Sequence, residues 1–135
     1  MKNDFDRMSE SPKNTGLVGD FTRKGTSMWL ITKFGFFSVV QKPGDSDLTV
    51  RSRVLEDLEQ LREQYLPELG EIEEGKGTDY RFRAKASHEA VAETVRKITL
   101  DIDYSNFKNE VKRVQGSERA GVYGEVWTVL YHLQK

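Results

Sequence analysis

The chain has 135 residues, the size of one domain, with 21 Lys and Arg against 22 Asp and Glu. It has no cysteine, which excludes disulfides, thiolate nucleophiles and zinc–thiolate centres. The near-neutral balance excludes a bulk attraction to nucleic acid, so any such binding has to come from local segregation of charge.

Residues 1–27 mix Lys, Asp, Ser, Asn and Gly with few apolar side chains and no period, and read as a disordered N-terminal extension. A single α+β domain is expected over 28–135. Residues 28–41 are β-branched and aromatic, and predict one long strand or two strands broken near Gly35, where a bulge or a close backbone approach is expected. They also bring the aromatics Trp29, Phe34, Phe36 and Phe37. Lys42-Pro43-Gly44-Asp45 has the composition of a turn. The segment from Leu48 to Arg53 returns as a strand, with Leu48 and Val50 on one face and Thr49, Arg51 and Arg53 on the other.

Leu55, Leu58, Leu61 and Tyr65 recur at helical spacing and predict a helix over 54–66, stopped by Pro67. A hairpin follows, from Glu71 through a turn at Gly75-Lys76-Gly77 into a strand over 79–86. Alternation there sets Tyr80, Phe82, Ala84 and Ala86 against Asp79, Arg81, Arg83 and Lys85. Ser87 is suited to cap the next helix, marked by Val91, Val95, Ile98 and Ile102. Hairpin-then-helix thus occurs twice, each time with Arg-x-Arg at the exit of the second strand. The remainder reads as helical, with stripes at Phe107, Val111 and Val114 and at Val122, Val126, Leu130 and Leu133, interrupted by Gly116. The expected fold is α+β and two-layered: a ferredoxin-like or repeated ββα sheet of about four antiparallel strands, with C-terminal helices.

Met28-Trp-Leu-Ile-Thr-Lys-Phe-Gly-Phe-Phe-Ser38, Leu48-Thr-Val-Arg51, Thr78-Asp-Tyr-Arg-Phe-Arg83, Asp101-Ile-Asp-Tyr-Ser-Asn-Phe-Lys108 and Val126-Trp127-x-x-Leu130 together resemble a family of small uncharacterised bacterial proteins. The resemblance covers 28–135. It implies a bacterial cytosolic protein and carries no established activity with it.

Several constellations bear on function. Arg51, Arg53, Arg81, Arg83 and Lys85, with Lys33 and the aromatic Phe36 nearby, are expected to share one sheet face. Guanidinium groups fit phosphate, and single-strand binders combine cationic grooves with aromatic platforms. The expected function is a non-enzymatic module engaging single-stranded nucleic acid or another polyanion. The competing expectation is that these cations pair with the acids of 56–74, where eight carboxylates face Arg62 alone. Lys33-Phe34-Gly35-Phe36 resembles the aromatic strand of the RNA-recognition motif, but lacks one glycine and lies on the first strand instead of the third.

Asp101, Asp103, Asn106 and Lys108, with Asp79 or Glu110, would suit a metal-dependent phosphodiesterase. The plainer expectation is a helix connection capped by Asp103 or Ser105. His88 and His132 stand far apart and without ligand spacing, and read as surface residues. Tyr123, Trp127 and Tyr131 at four-residue spacing are expected in the core, or on a surface for self-association, while Gly121 and Gly124 would let a second helix approach. No cofactor, metal or catalytic residue is implied. No run nears the roughly 20 apolar residues of a membrane span, and the N-terminus lacks a signal peptide's apolar core, so a cytoplasmic protein is expected. A homo-oligomer through the C-terminal helix is the remaining partner expected.

Overall fold

The computed structural model describes residues 27–75 and 79–134. All but Ser27 of the expected extension, and residues 76–78 of the expected hairpin turn, lie outside them. The first apolar segment breaks into β1 (Met28–Thr32) and β2 (Gly35–Val40), antiparallel and joined at Lys33 and Phe34. Thr32 makes this turn: its Oγ1 accepts from the N–H groups of Phe34 and Gly35. The next turn follows the Lys-Pro-Gly-Asp chemistry. Asp45 N–H donates to the Lys42 carbonyl at 3.1 Å, and Gly44 takes φ 85°, open to glycine and strained for other residues.

β3 (Leu48–Ser52) and α1 (Leu55–Gln64) complete the first unit. β4 (Glu73–Glu74), β5 (Phe82–Ala86) and α2 (His88–Leu100) form the second. α3 (Phe107–Gln115) and α4 (Ser117–Tyr131) follow, separated by Gly116 at φ 102°. The five strands make one antiparallel sheet in the order β1-β2-β3-β5-β4. The order is β-β-β-α then β-β-α, so the second unit is ββα and the first carries an additional leading strand; a ferredoxin-like chain would alternate β-α-β-β-α-β. The last strands of the two hairpins, β3 and β5, pair with each other at the centre of the repeat.

One sheet face is the core. Phe37, Val39, Val50, Ala84 and Ala86 pack under Leu58 and Leu61 of α1 and Val91 of α2, with Phe34, Tyr65, Leu66 and Leu69 closing the cluster. The expected cap forms: Ser87 Oγ accepts from Ala90 N–H at 3.0 Å. The α3 cap is Asn106, whose Oδ1 accepts from Asn109 N–H at 2.9 Å, in place of the expected Asp103 or Ser105. Among the described residues, no helix is long and apolar enough to cross a membrane.

α3 and α4 pack against each other and meet the β1–β2 hairpin through a small pocket, where Val122, Tyr123 and Val126 of α4 face Trp29, Ile31 and Phe36, and through polar contacts near its turn. The central one is Asp57 of α1, buried at 4% exposure. Its carboxylate accepts from Phe36 N–H at 3.0 Å and from both terminal nitrogens of Arg119 on α4, at 2.9 and 3.2 Å. Burial alone would lower the Arg119 pKa, but its bonds to Asp57 and Tyr123 outweigh that and hold it above its ordinary value. Gly35 makes the approach possible, because a Cβ there would stand 2.9 Å from Asp57 Cβ. Removing one partner of such a pair strands a buried charge. Asp57→Ala is expected to lower unfolding free energy by about 3 kcal/mol. The Asp57→Ala/Arg119→Ala double variant is expected to lose less than the sum of the singles, as measured by urea unfolding.

Candidate anion-binding face

The sheet face away from the core is set by the register. Val50 pairs with Ala84 in the core, so the next pair along, Arg51 with Arg83, faces the other way. A single row of paired residues then crosses the sheet: Trp29, Ser38, Arg51, Arg83 and Glu73, one from each strand. Like charges directly opposed on neighbouring strands repel.

Arg51 is 8% exposed. Its Nη2 donates to Ser38 Oγ at 2.7 Å, and its guanidinium lies 4.6 Å from the Tyr80 ring centroid. Arg83 is half-buried, and its Nη2 donates to the Tyr80 carbonyl at 3.1 Å. Lys42, from the β2–β3 turn, joins them. Its ammonium pKa is held below the usual lysine value by burial first, then by repulsion from Arg83 and Arg51. Phe36 flanks the row, meeting Trp29 edge-to-face at 5.3 Å and Tyr80 at 6.2 Å. Trp29 Nε1, Thr49 Oγ1 and Arg83 Nε are buried polar atoms with no hydrogen-bond partner among the described residues. Trp29, Thr49 and Arg83 all lie on this face by strand register.

The other expected members are placed differently. Arg53 falls just past the end of β3 and is exposed. Its Nε donates to the Asp79 carbonyl at 3.2 Å, and its guanidinium lies 4.7 Å from the Tyr80 ring centroid, so it reaches the cluster through the ring instead of the ladder. Tyr80 was expected on the core face with Phe82. Pairing of β5 starts only at Phe82, the chain bends before it, and Tyr80 packs on the arginine side. Arg81 leaves the cluster to pair with Glu74 at 2.7 Å. Lys85 lies on the face but pairs with Asp45 at 3.3 Å. Lys33 is in a turn at the far end, not in a strand. It pairs with Glu110 at 3.2 Å and lies over the Tyr104 ring. The acidic 56–74 segment therefore takes Arg81 through Glu74, while its Asp57 goes to Arg119.

Sequence reasoning missed Lys42. Phe36, Ser38 and Val40 alternate onto this face, and continuing that period of two into the turn reaches Lys42. The alternative carboxylate site does not assemble. Asp101 accepts the Tyr65 hydroxyl at 2.6 Å, Asp103 is exposed, and Asp79 borders Arg53. Among the described residues no three His, Asp or Glu side chains gather as a metal would require. His88 and His132 are exposed at a helix start and a helix end.

Comparison with protein-family models, with curated proteins and with solved structures found no match to this chain. The bacterial resemblance therefore rests on the quoted motifs alone.

Glu110, bonded to Arg113 of its own helix and to Lys33 of the β1–β2 turn, gives a pH test of what its carboxylate contributes to stability. Hydrogen bonds from Arg113, then Lys33, hold the Glu110 carboxyl down at about 2, below its ordinary 4.5. A depressed carboxylate stabilises the fold above its unfolded value and loses that contribution as pH falls through the folded one. The melting temperature of Glu110→Gln is expected to lie below that of the parent at neutral pH. The gap should close between pH 4.5 and about 2. A gap unchanged across that window would show that the carboxylate makes no such contribution.

Proposed function

We propose that the arginine face binds a polyanion, with single-stranded nucleic acid as the favoured ligand, and that the protein acts as a binding module and not as an enzyme. One observation carries the reading: Arg51 and Arg83 stand directly opposed on neighbouring strands, and Lys42 in the next turn is near enough for their repulsion to lower its pKa. Concentrating three cations costs stability that an anion would restore. The geometry also divides their roles. Arg51, buried against Ser38 and Tyr80, contributes its field from below, while Lys42, Arg83 and exposed Arg53 are the groups a phosphate chain would meet. Buried donors on Trp29 and Arg83 add unused hydrogen-bonding capacity. The half-buried Phe36 and Trp29 rings, which share a small pocket with Val122, Tyr123 and Val126 of α4, are the aromatic groups nearest the cations that a base would meet. A bacterial and cytosolic setting belongs to the same proposal and is supported by the motif resemblance and the absence of cysteine. A second surface, the C-terminal helix, is proposed to join copies of the chain.

A face this small meets few phosphates, so the salt dependence is the sharpest test. With three contacts, the log–log slope of affinity against salt for a short oligothymidylate should be about −2. Arg83→Gln and Lys42→Gln should each weaken binding and flatten the slope by about 0.7. Arg81→Gln, already engaged by Glu74, should change neither. Absence of binding at low salt, or binding indifferent to salt, would overturn the proposal.

A further inference from the structure

α4 is the element that the rest of the chain satisfies least. Its apolar residues take up more than half of its circumference: Val122, Val126 and Leu130 on one row, Tyr123, Trp127 and Tyr131 on the next, and Val129 outside the first, with Glu118, Gly121, Glu125 and Thr128 on the remaining arc. An apolar arc this wide is normally buried. Here the cover is confined to the first turns, where Tyr123 stacks on Phe107 of α3 at 6.2 Å, Ala120 is buried and half-buried Val126 borders Trp29 and Ile31. Beyond that contact Trp127 is 66% exposed, Tyr131 54% and Leu133 81%, and Val122, Val129 and Leu130 are each about half exposed. The aromatic row expected in the core is therefore split. Tyr123 packs inward, while the Trp127 and Tyr131 rings stack on each other at 5.4 Å outside it.

We propose that this side of α4 is covered by α4 of a second copy, making the protein a homodimer. Three observations select that occupant. The first is area: the exposed portions of these six side chains, which surround the C-terminal half of α4, amount to on the order of 600 Å², at the top of what a monomer leaves open. Two such surfaces remove on the order of 1,200 Å² from water, the lower end of what a stable pair of proteins buries. The second is charge. From Val126 to Leu133 no position is Asp, Glu, Lys or Arg, so two identical helices meet without like-charge repulsion. The same stretch has no basic rim for an anionic membrane and no charge pattern to select a different protein, and homodimer interfaces are the most apolar class. The third is room. A Cβ added at Gly121 or Gly124 would meet nothing within 4 Å. Both glycines line an open groove of about 880 Å³ between α3 and α4 that Trp127 and Leu130 also border. The second helix expected to approach these glycines is not supplied from within the described chain.

Sedimentation of the full chain from submicromolar to high-micromolar concentration tests this directly. The expected result is a concentration-dependent dimer, weakened about thirtyfold by Trp127→Glu, as for a central aromatic anchor, with the melting transition retained. A monomer throughout the range overturns the proposal, including the case in which the chain's own N-terminal residues cover the groove. A Trp127→Glu chain as dimeric as the parent also overturns it, because the interface would then lie elsewhere. Should Trp127→Glu fail to fold, Thr128→Cys decides. It is the only thiol in the chain and sits on the exposed side of α4. A flexible bismaleimide should link two copies of it at low concentration, and failure to do so counts against the dimer.

Discussion

The Asp57 carboxylate is the point on which the arrangement of the parts depends. It is the one group that touches α1, the start of β2 and α4 at once. Its cost is high: a carboxylate at 4% exposure has lost most of its hydration. Three charge-assisted bonds offset that cost, and the bidentate fork of Arg119 fixes direction as well as distance. Buried pairs of this kind contribute little net stability against an apolar replacement, and their value lies in orientation. That fits what surrounds this one. α3 and α4 bring few apolar contacts to the sheet, so Arg119–Asp57, Lys33–Glu110 and the Gln115 amide on the Lys33 carbonyl decide where the C-terminal hairpin stands. Gly35 belongs to the same device, since any side chain there would push Asp57 away.

The cationic row follows from the core by a different constraint. Val50 opposite Ala84 and Leu48 opposite Ala86 must face the helices, and a slip of one residue would turn Arg51 and Arg83 into the core. The buried pattern thus forces the two arginines into direct opposition on the outer face. The expected equivalence of the two Arg-x-Arg motifs does not hold: the first lies at the end of β3 and the second at the start of β5, and the arginines become neighbours because these strands pair antiparallel, end against start. The structure tolerates the repulsion partly by placing Arg51 on Ser38 Oγ and against the face of Tyr80, whose π-system attracts a cation.

Much of this was legible in the sequence wherever a residue's fate depends on near neighbours. The Lys42–Asp45 turn, the Ser87 cap, the α1 stripe and the α2 stripe as far as Ile98 are local patterns, and all are present; Ile102 falls beyond α2 and is exposed, and the first strand–helix unit has three strands instead of two. Alternation failed at its ends. It was extended through Arg53, Tyr80 and Arg81, where the ladder has stopped and the chain is free to turn. Lys33 failed similarly, because one strand became two and its position became a turn. Asp57 was hidden for another reason. Among eight acids in one segment nothing local distinguishes the one that meets Arg119, 62 residues away.

The last helix shows how a local pattern misleads when the described chain supplies nothing to cover it. Its apolar stripes suggest a core position, and the fold provides core for only one of them. Consistency between local pattern and global burial is the ordinary condition of a folded sequence, and functional surfaces are where it breaks. The two breaks in this chain are chemically opposite: arginines directly opposed on the sheet, and uncovered apolar surface on the last eight residues before Gln134. Taken together, the proposed polyanion binding and the proposed dimer have a joint consequence: two arginine faces joined through α4 would convert a second contact on the same strand into an intramolecular one. Affinity would then rise with ligand length as the strand comes to span both sites, with no new contact at either. On that logic the apolar helix and the arginine row are two parts of one binding device.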